Sequence, residues 1–186
     1  MSKSIVVSGP PAIGKTTVAK GLAKEFNLNY LSGGDILKEL ANEEGFSSSG
    51  DDWWDTEDGM KFLNQRKENP EFDKKVDKKL IELFEKGGTV ITSYTLPWLI
   101  NNGIKLWLDG SVKNSAKRMQ NRDNMDEFSA LEVVNKRFNE NKLIYKNLYN
   151  FEFGDDLSVF DKIIQTDEKN ADEVLEIAKS SVRELL

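Results

Sequence analysis

The sequence predicts an α/β fold in which five parallel strands form one sheet with helices on both faces. Short apolar runs of strand length alternate with longer segments of helical periodicity along the chain. This alternation is typical of right-handed βαβ units, which build parallel sheets. A length of 186 residues gives room for one domain with a sizeable core. We therefore expect a single domain over residues 1–186.

The strand predictions rest on short apolar runs bounded by polar residues or glycines. The run Ile5-Val6-Val7 is rich in β-branched residues and predicts a buried first strand. The predicted strands cover residues 5–8, 28–32, 89–93, 104–108 and 160–165. Helical segments between most of them favour parallel pairing.

The helix predictions rest on apolar residues at helical spacing and on signals at the helix ends. Pro70 suits the first position of a helix, Gly87-Gly88 ends that helix, and Ser111 caps a later one. The predicted helices cover residues 14–26, 34–44, 56–66, 70–86, 111–121, 129–149 and 170–186. The polar stretch 46–59 predicts a loop. Its pair Trp53-Trp54 forms either a lid or a stacking wall for a base or sugar, or a small satellite core under the loop.

A glycine-rich run between the first strand and the first helix has the pattern of a phosphate-binding loop. Two glycines stand five residues apart and Lys-Thr follows them, in the strand–loop–helix context that the motif requires. The predicted ATP-binding residues are Gly9, Pro10, Pro11, Ala12, Ile13, Gly14, Lys15, Thr16 and Thr17. Backbone amides at the helix start would bind phosphate oxygens, Lys15 the outer phosphates, and the Thr16 hydroxyl Mg²⁺. The motif predicts the P-loop NTPase fold.

Composition excludes several kinds of chemistry. The chain has no cysteine and no histidine, which excludes disulfides, thiol nucleophiles, histidine bases and histidine zinc sites. The net charge of −6, without a block of lysine and arginine, disfavours nucleic-acid and membrane-surface partners. Neither a signal-peptide pattern nor an apolar run of membrane-spanning length is present. We expect a cytoplasmic monomer.

Polar residues after the later strands are candidates for the site, because ligands bind at the carboxyl ends of the strands in such folds. Asp35 has two possible roles. It either caps the helix that follows, or its carboxylate orients the attacking group or a magnesium-bound water. Lys38 is either a surface lysine or a ligand for the acceptor's phosphate. Ser93 ends the third strand and would help to orient the acceptor.

Arginine and aspartate pairs at helical spacing complete the candidates. Arg118 and Arg122 lie four residues apart and Arg137 follows, so they either stabilise a transferred phosphoryl group or form surface ion pairs. Asp73 and Asp77 share one helix face, where they either read polar edges of a base or are like-charged neighbours in solvent.

Several segments make the chain resemble the archaeal cytidylate kinase family over nearly its whole length. The phosphate-binding loop with its paired prolines and threonines is similar to that of the family. Three further segments match it: Ser32-Gly33-Gly34-Asp35-Ile36, Glu68-Asn69-Pro70-Glu71-Phe72-Asp73 and Asp156-Leu157-Ser158-Val159-Phe160-Asp161. Lysine stands at positions 38, 78 and 79 where relatives carry arginine, and the arginines they place near Tyr94 and around Asn141 or Lys142 are replaced here.

The resemblance implies a three-part kinase. A core of residues 1–33, 87–120 and 138–186 would hold ATP, residues 34–86 the monophosphate, and residues 121–137 would form a short lid. Residues 166–170 would flank the adenine. The implied reaction transfers the γ-phosphoryl group of Mg²⁺-ATP to CMP or dCMP.

The candidate residues predict direct in-line transfer without a covalent enzyme intermediate. Lys15, Arg118, Arg122 and Arg137 would stabilise charge, and Asp35, Lys38 and Ser93 would orient the acceptor. Three alternatives remain at this point. They are a kinase for another monophosphate or a hydroxyl compound, a catalytically weak nucleotide-binding regulator, and a nucleic-acid-linked ATPase, which the acidic charge disfavours.

Overall fold

The computed structural model describes residues 3–43, 45–46, 53 and 56–186, in which the chain forms five strands and eight helices. The strands are β1 (Ile5–Ser8), β2 (Asn29–Ser32), β3 (Thr89–Thr92), β4 (Ile104–Asp109) and β5 (Lys162–Gln165). The helices are α1 (Lys15–Phe26), α2 (Gly33–Glu43), α3 (Glu57–Glu68), α4 (Glu71–Glu85), α5 (Leu96–Leu99), α6 (Val112–Asp123), α7 (Glu127–Tyr149) and α8 (Ala171–Leu185). None of the helices in these ranges is long and apolar enough to cross a membrane.

All strands pair in parallel in the order β2-β3-β1-β4-β5. The central strand β1 is buried along its whole length, with Val6 paired to Ile91 on one side and Lys105 on the other. A strand covered on both faces needs a continuous apolar run, which the sequence supplies. The predicted fold class is confirmed.

Alternate residues of β1 build separate cores on the two faces of the sheet, because successive side chains of a strand point to opposite faces. Ile5 and Val7 belong to one core together with residues of α1 and α8. Val6 belongs to the other, together with residues of α2, α4 and α5. The sheet therefore forms the middle layer of three.

An aromatic cluster joins α7 to the sheet. It comprises Tyr94, Trp98, Trp107, Tyr145, Phe151, Phe153 and Phe160. Phe153 is fully buried at its centre, with ring centroids 5.3 Å from Tyr94 and 5.5 Å from Trp107. Because Trp107 lies on β4 and Tyr145 on α7, the cluster fixes the long helix against the sheet.

The predicted element ends lie within two residues of the observed ones, and one helix is additional. The short helix α5 was outside the prediction because its four residues, Leu96–Leu99, contain a proline and show no helical periodicity. Strand β5 begins at Lys162 rather than at residue 160. Phe160 is instead held in a turn, since its N–H donates to the carbonyl of Leu157, 3.1 Å away. Glu44, the expected last residue of the second helix, lies outside the described residues.

The predicted cap at Ser111 is confirmed, because its hydroxyl accepts from the N–H of Asn114 at 3.1 Å. Trp53 is only 2% exposed and packs against Phe62 at 5.8 Å, within the large core that also contains Val6 and not in a small satellite core. Its neighbour Trp54 lies outside the described residues.

The aromatic cluster supplies a stability prediction. We expect Phe153→Ala to lower the free energy of unfolding by about 3–5 kcal/mol, because it removes a fully buried ring at the centre of the cluster. The matched control is Phe128→Ala at the start of α7, whose ring is 77% exposed and whose loss should change stability by less than about 0.5 kcal/mol. Urea denaturation of both variants measures the difference, and equal losses would contradict the packing described here.

Candidate active site

One cavity of about 690 Å³ at the carboxyl ends of the strands collects nearly all of the predicted site residues. The predicted residues in its wall are Ala12, Ile13, Gly14, Lys15, Thr16, Thr17, Asp35, Lys38, Asp73, Asp77, Ser93, Arg118, Arg122 and Arg137. Gly9, Pro10 and Pro11 complete the phosphate-binding loop without lining the wall. Residues more than 100 positions apart in the chain thus meet at one site.

Both glycines of the phosphate-binding loop are required by its backbone. Gly9 has φ +146° and a Cβ there would overlap the carbonyl oxygen of Leu108. Gly14 has φ +103°, and a Cβ there would lie 2.8 Å from Nη1 of Arg118. Gly14 also precedes the first residue of α1, so the loop delivers the helix N-terminus directly to the cavity.

Lys15 is held by its own loop and by a tyrosine. Its Nζ donates to the carbonyls of Gly9 at 3.0 Å and Pro10 at 2.6 Å. The same Nζ lies 4.6 Å from the ring centroid of Tyr94, a distance typical of a cation–π contact. Burial, and next the charge of Arg137, lower the pKa of Lys15 well below its usual value. Arg137 and Lys15 line the wall of the same cavity.

The residues after β2 combine a helix N-terminus with one cation. The Ser32 hydroxyl accepts from the N–H of Asp35 at 3.3 Å, so Ser32 rather than Asp35 satisfies the start of α2. The Asp35 side chain is 62% exposed and lies 3.8 Å from Nζ of Lys38, whose side chain is largely buried. The capping interpretation of Asp35 is wrong, and its carboxylate remains available in the cavity wall.

The predicted arginines occupy different surroundings. Arg118 donates through Nη1 to the carbonyl of Ile13 and through Nη2 to that of Thr166 at 3.3 Å. It therefore ties the phosphate-binding loop to the loop that follows β5. Arg122 forms an ion pair with Asp123, the next residue along α6.

The two aspartates of α4 are buried rather than solvated, being 4% and 5% exposed. The interpretation of Asp73 and Asp77 as neighbours on a solvated face is wrong. Asp73 accepts from both Nε and Nη2 of Arg66, with the Nε–Oδ2 distance at 3.1 Å. A bidentate pair of this kind compensates both buried charges.

Asp77 is bound by neutral hydroxyls instead. Thr95 and Tyr149 donate to its carboxylate, the latter at 2.7 Å. Burial raises the pKa of Asp77 to about 6, against the lowering effect of these two hydrogen bonds. The carboxylates of Asp73 and Asp77, one helical turn apart, therefore differ in how their charge is compensated. Among the described residues, Asp73 contacts a cation directly, whereas Asp77 contacts hydroxyl groups.

Ser93 has a local structural role in addition to its place in the wall. Its hydroxyl accepts from the backbone N–H groups of Thr95 at 3.2 Å and Leu96 at 3.1 Å, which starts the short helix α5. These hydrogen bonds fix the position of Thr95, whose hydroxyl donates to the carboxylate of Asp77.

Helix α7 presents a stripe of residues spaced by four along the cavity. Arg137, Asn141 and Tyr145 line the wall, and Tyr149 continues the stripe to Asp77. Sequence reasoning identified only Arg137 as a site residue; the spacing was the available signal for the others. Arg66 was missed as well, because nothing in its local sequence indicates a partner at position 73, 141 or 145.

The stripe connects two ends of opposite charge. The end near the phosphate-binding loop carries Lys15 and Arg137, together with Lys38, Arg118 and Arg122 in the same wall. The end formed by α3 and α4 carries Arg66, Asp73 and Asp77, with a net charge of −1 when both carboxyls are ionised. Such a cavity favours a ligand with an anionic group at one end and a neutral polar group at the other.

Comparisons with known proteins find relatives that match nearly the whole chain. The family model described as an AAA domain matches residues 8–105. The cytidylate kinase of Methanocaldococcus jannaschii is 31% identical, covering 97% of this chain and 98% of that protein. The cytidylate kinase of Sulfurisphaera tokodaii is 33% identical, covering 98% of this chain and 96% of that protein.

Solved structures of kinases share the fold. Shikimate kinase from Bacteroides thetaiotaomicron superposes with a TM-score of 0.61 at 15% identity, over 98% of this chain and 97% of that one. A gluconokinase from Sinorhizobium meliloti gives a TM-score of 0.55 at 17% identity, over 99% of this chain and 93% of that one. At these identities the likeness concerns the fold alone.

The raised pKa of Asp77 predicts a pH-dependent stability. Both states are protonated only well below pH 4, whereas above about pH 6 the native state must hold a buried carboxylate that the unfolded state solvates. Relative to Asp77→Asn, the wild type should therefore lose about 2 kcal/mol of unfolding free energy between pH 4 and pH 7.

Urea denaturation of both proteins at each pH measures this difference in unfolding free energy. The contributions of the other titrating groups are common to both proteins and cancel in the difference. A difference that does not change with pH, or that grows in favour of the wild type, would contradict the assigned environment of Asp77.

Proposed function

This chain belongs to the cytidylate kinase family, and we propose that it transfers the γ-phosphoryl group of ATP to CMP or dCMP, giving the nucleoside diphosphate and ADP. The observation that carries the proposal is the separation of charge in the cavity. Cations lie beside the phosphate-binding loop, and buried carboxylates lie at the opposite end. A nucleoside monophosphate has a matching polarity, with an anionic phosphate and a neutral base.

ATP would bind with its phosphates on the loop and the start of α1. The amides of the first turn and the helix dipole favour phosphate there, and Lys15 would exchange its two loop carbonyls for phosphate oxygens. Arg118 reaches the loop that follows β5, so that residues 166–170 would flank the adenine.

The residues at this end suit Mg²⁺. The Thr16 hydroxyl is exposed at the start of α1, and the Asp35 carboxylate lies in the wall of the same cavity. Magnesium commonly takes one or two protein oxygens together with substrate phosphates and waters. When bound, the ion would neutralise charge on the β- and γ-phosphates.

The acceptor would lie between Lys38 and the α4 carboxylates. Its phosphate would bind Lys38 and the N-terminus of α2, where Gly33 and Gly34 line the cavity. Its base would reach Asp77, since a carboxylate accepts from the exocyclic amino group of cytosine. This orientation directs the acceptor phosphate towards ATP for in-line attack.

Catalysis would consist of positioning and charge stabilisation. Arg122 and Arg137 would hold the transferred group, and closure of residues 121–137 would exclude water and prevent hydrolysis of ATP. These residues form the end of α6, a tight turn and the start of α7.

The acceptor phosphate is already ionised at neutral pH, so that no general base is required. We therefore expect Asp35→Asn to keep kcat with CMP within about tenfold of the wild type, in a steady-state ADP-release assay. A hydroxyl acceptor would need Asp35 as a base, and the same substitution would then cost a factor of about 100 or more. A loss of that size with CMP at saturating Mg²⁺, where weaker metal binding no longer limits the rate, would contradict the proposed transfer to phosphate.

The acceptor itself is tested by a coupled ADP-release assay with Mg²⁺-ATP against CMP, dCMP, UMP, AMP, GMP and dTMP. We expect strong turnover with CMP and dCMP only, because Asp77 as a carboxylate rejects the carbonyl that replaces the amino group in uracil. Binding of ATP without turnover on any of the six would exclude the proposal and favour a regulatory protein or a different acceptor.

A further inference from the structure

The loop 166–170, which follows β5, is fixed between the starts of two helices. Asp167 accepts from the backbone N–H of Ser111, the cap of α6, at 3.1 Å through Oδ1 and 3.0 Å through Oδ2. Asn170 caps α8, in a capping box in which Glu173 accepts from the N–H of Asn170 at 2.7 Å. Any displacement of the loop would therefore break contacts at both helix ends.

The Ser111 hydroxyl extends the first of these contacts into α6. It accepts from the N–H of Asn114 at 3.1 Å and donates to Oδ1 of Asp167 at 3.3 Å. A carboxylate at the N-terminus of a helix is favourable, because the free N–H groups of the first turn point towards it. The start of α6 is thus satisfied jointly by its own serine and by an aspartate 56 positions away in the sequence.

Two side chains of α6 hold the residue before Asp167. Thr166 is fully buried, and its carbonyl accepts from Nδ2 of Asn114 at 3.4 Å and from Nη2 of Arg118 at 3.3 Å. Arg118 also donates to the carbonyl of Ile13 in the phosphate-binding loop. Burial lowers the pKa of Arg118, and the charge of Asp167 opposes this effect. Asp167 therefore supports, from behind, the arginine that ties the two loops together.

The backbone after Asp167 has an unusual conformation. Glu168 has φ +62°, in the left-handed region that residues other than glycine rarely adopt. The next residue, Lys169, closes a turn by donating its N–H to the carbonyl of Thr166 at 3.3 Å. Such a conformation persists only where the surrounding contacts fix it, and it is common beside ligands. Here it brings residues 169–171 into the cavity wall, whereas Asp167 lies behind that wall.

We propose that Asp167 is a positioning residue, whose contact with the start of α6 sets the place of residues 169–171 relative to the phosphate-binding loop and thereby the affinity for the base of the nucleotide. The inference rests on the proposed function, in which this loop flanks the adenine. Asp167 acts through its neighbours and does not touch the ligand itself.

A purely structural role for Asp167 would change the affinity for every ligand of the cavity by the same factor, or for none. Two ligands distinguish the roles: ADP, and inorganic pyrophosphate, which has the two phosphates without the ribose and the base. The protein pair is wild type and Asp167→Asn, which keeps the shape of the side chain and one acceptor oxygen but removes the charge.

Calorimetry in the presence of Mg²⁺ gives the dissociation constants of both ligands for both proteins. We expect Asp167→Asn to bind ADP about tenfold more weakly than the wild type, because the charge-assisted contacts that place the loop are lost. We expect pyrophosphate to bind equally or up to about threefold more tightly, because a negative charge near Arg118 is removed. The same change for both ligands, or an unchanged affinity for ADP, would overturn the proposal.

The matched control is Asp161→Asn. Asp161 precedes β5 as Asp167 follows it, and its Oδ2 accepts from the N–H of Lys105 on β4 at 2.8 Å. This contact joins the same two strands at the end away from the cavity, so that both affinities should remain those of the wild type. A selective loss of ADP affinity in Asp161→Asn would overturn the assignment to Asp167.

A second variant keeps the test decisive if Asp167→Asn fails to fold. Ser111→Ala removes the hydroxyl contact and leaves the backbone contact, so we expect ADP to bind about threefold more weakly and pyrophosphate as before. Wild type that binds ADP no better than pyrophosphate would overturn the proposal. Wild type that binds neither ligand would refute the proposed function itself, which distinguishes the two failures.

Discussion

Helix α7 keeps opposite charges apart within a single cavity, and the proposed position of each ligand group follows from that separation. Arg137 lies near Lys15 at one end of the helix stripe, and Tyr149 contacts Asp77 at the other. Twelve residues of α-helix place these two positions about 18 Å apart along the axis. The aromatic cluster fixes α7 on the sheet, so that the distance between the two ends is a rigid property of the fold.

Local signals were sufficient for most of the fold. The strand–loop–helix unit at the start of the chain, the cap at Ser111 and the glycine stop after α4 are each encoded within a few neighbouring residues. The exceptions are α5 and the start of β5, where tertiary contacts decide. Phe160 has strand propensity, yet its ring packs against Trp98 and Trp107, and the chain turns to allow this.

The cationic half of the cavity, around the phosphate-binding loop, was predictable for the same reason, whereas the half with the buried carboxylates was not. Asp73 and Asp77 share a helix face in the sequence, but their burial depends on Arg66 and Tyr149, and Arg66 depends in turn on Asn141 and Tyr145, more than 70 residues away. No local pattern contains such contacts. The sequence indicated which residues were candidates, and only the fold decided between solvent and ligand.

The hydrogen bonds of Lys15 to its own loop have a thermodynamic consequence. With the carbonyls of Gly9 and Pro10 as acceptors, the ammonium is solvated by the loop itself. Nucleotide binding is then an exchange of acceptors, and its enthalpy is smaller than the number of new phosphate contacts suggests. The same internal acceptors preorganise the loop, which reduces the ordering entropy that a phosphate ligand would otherwise have to supply.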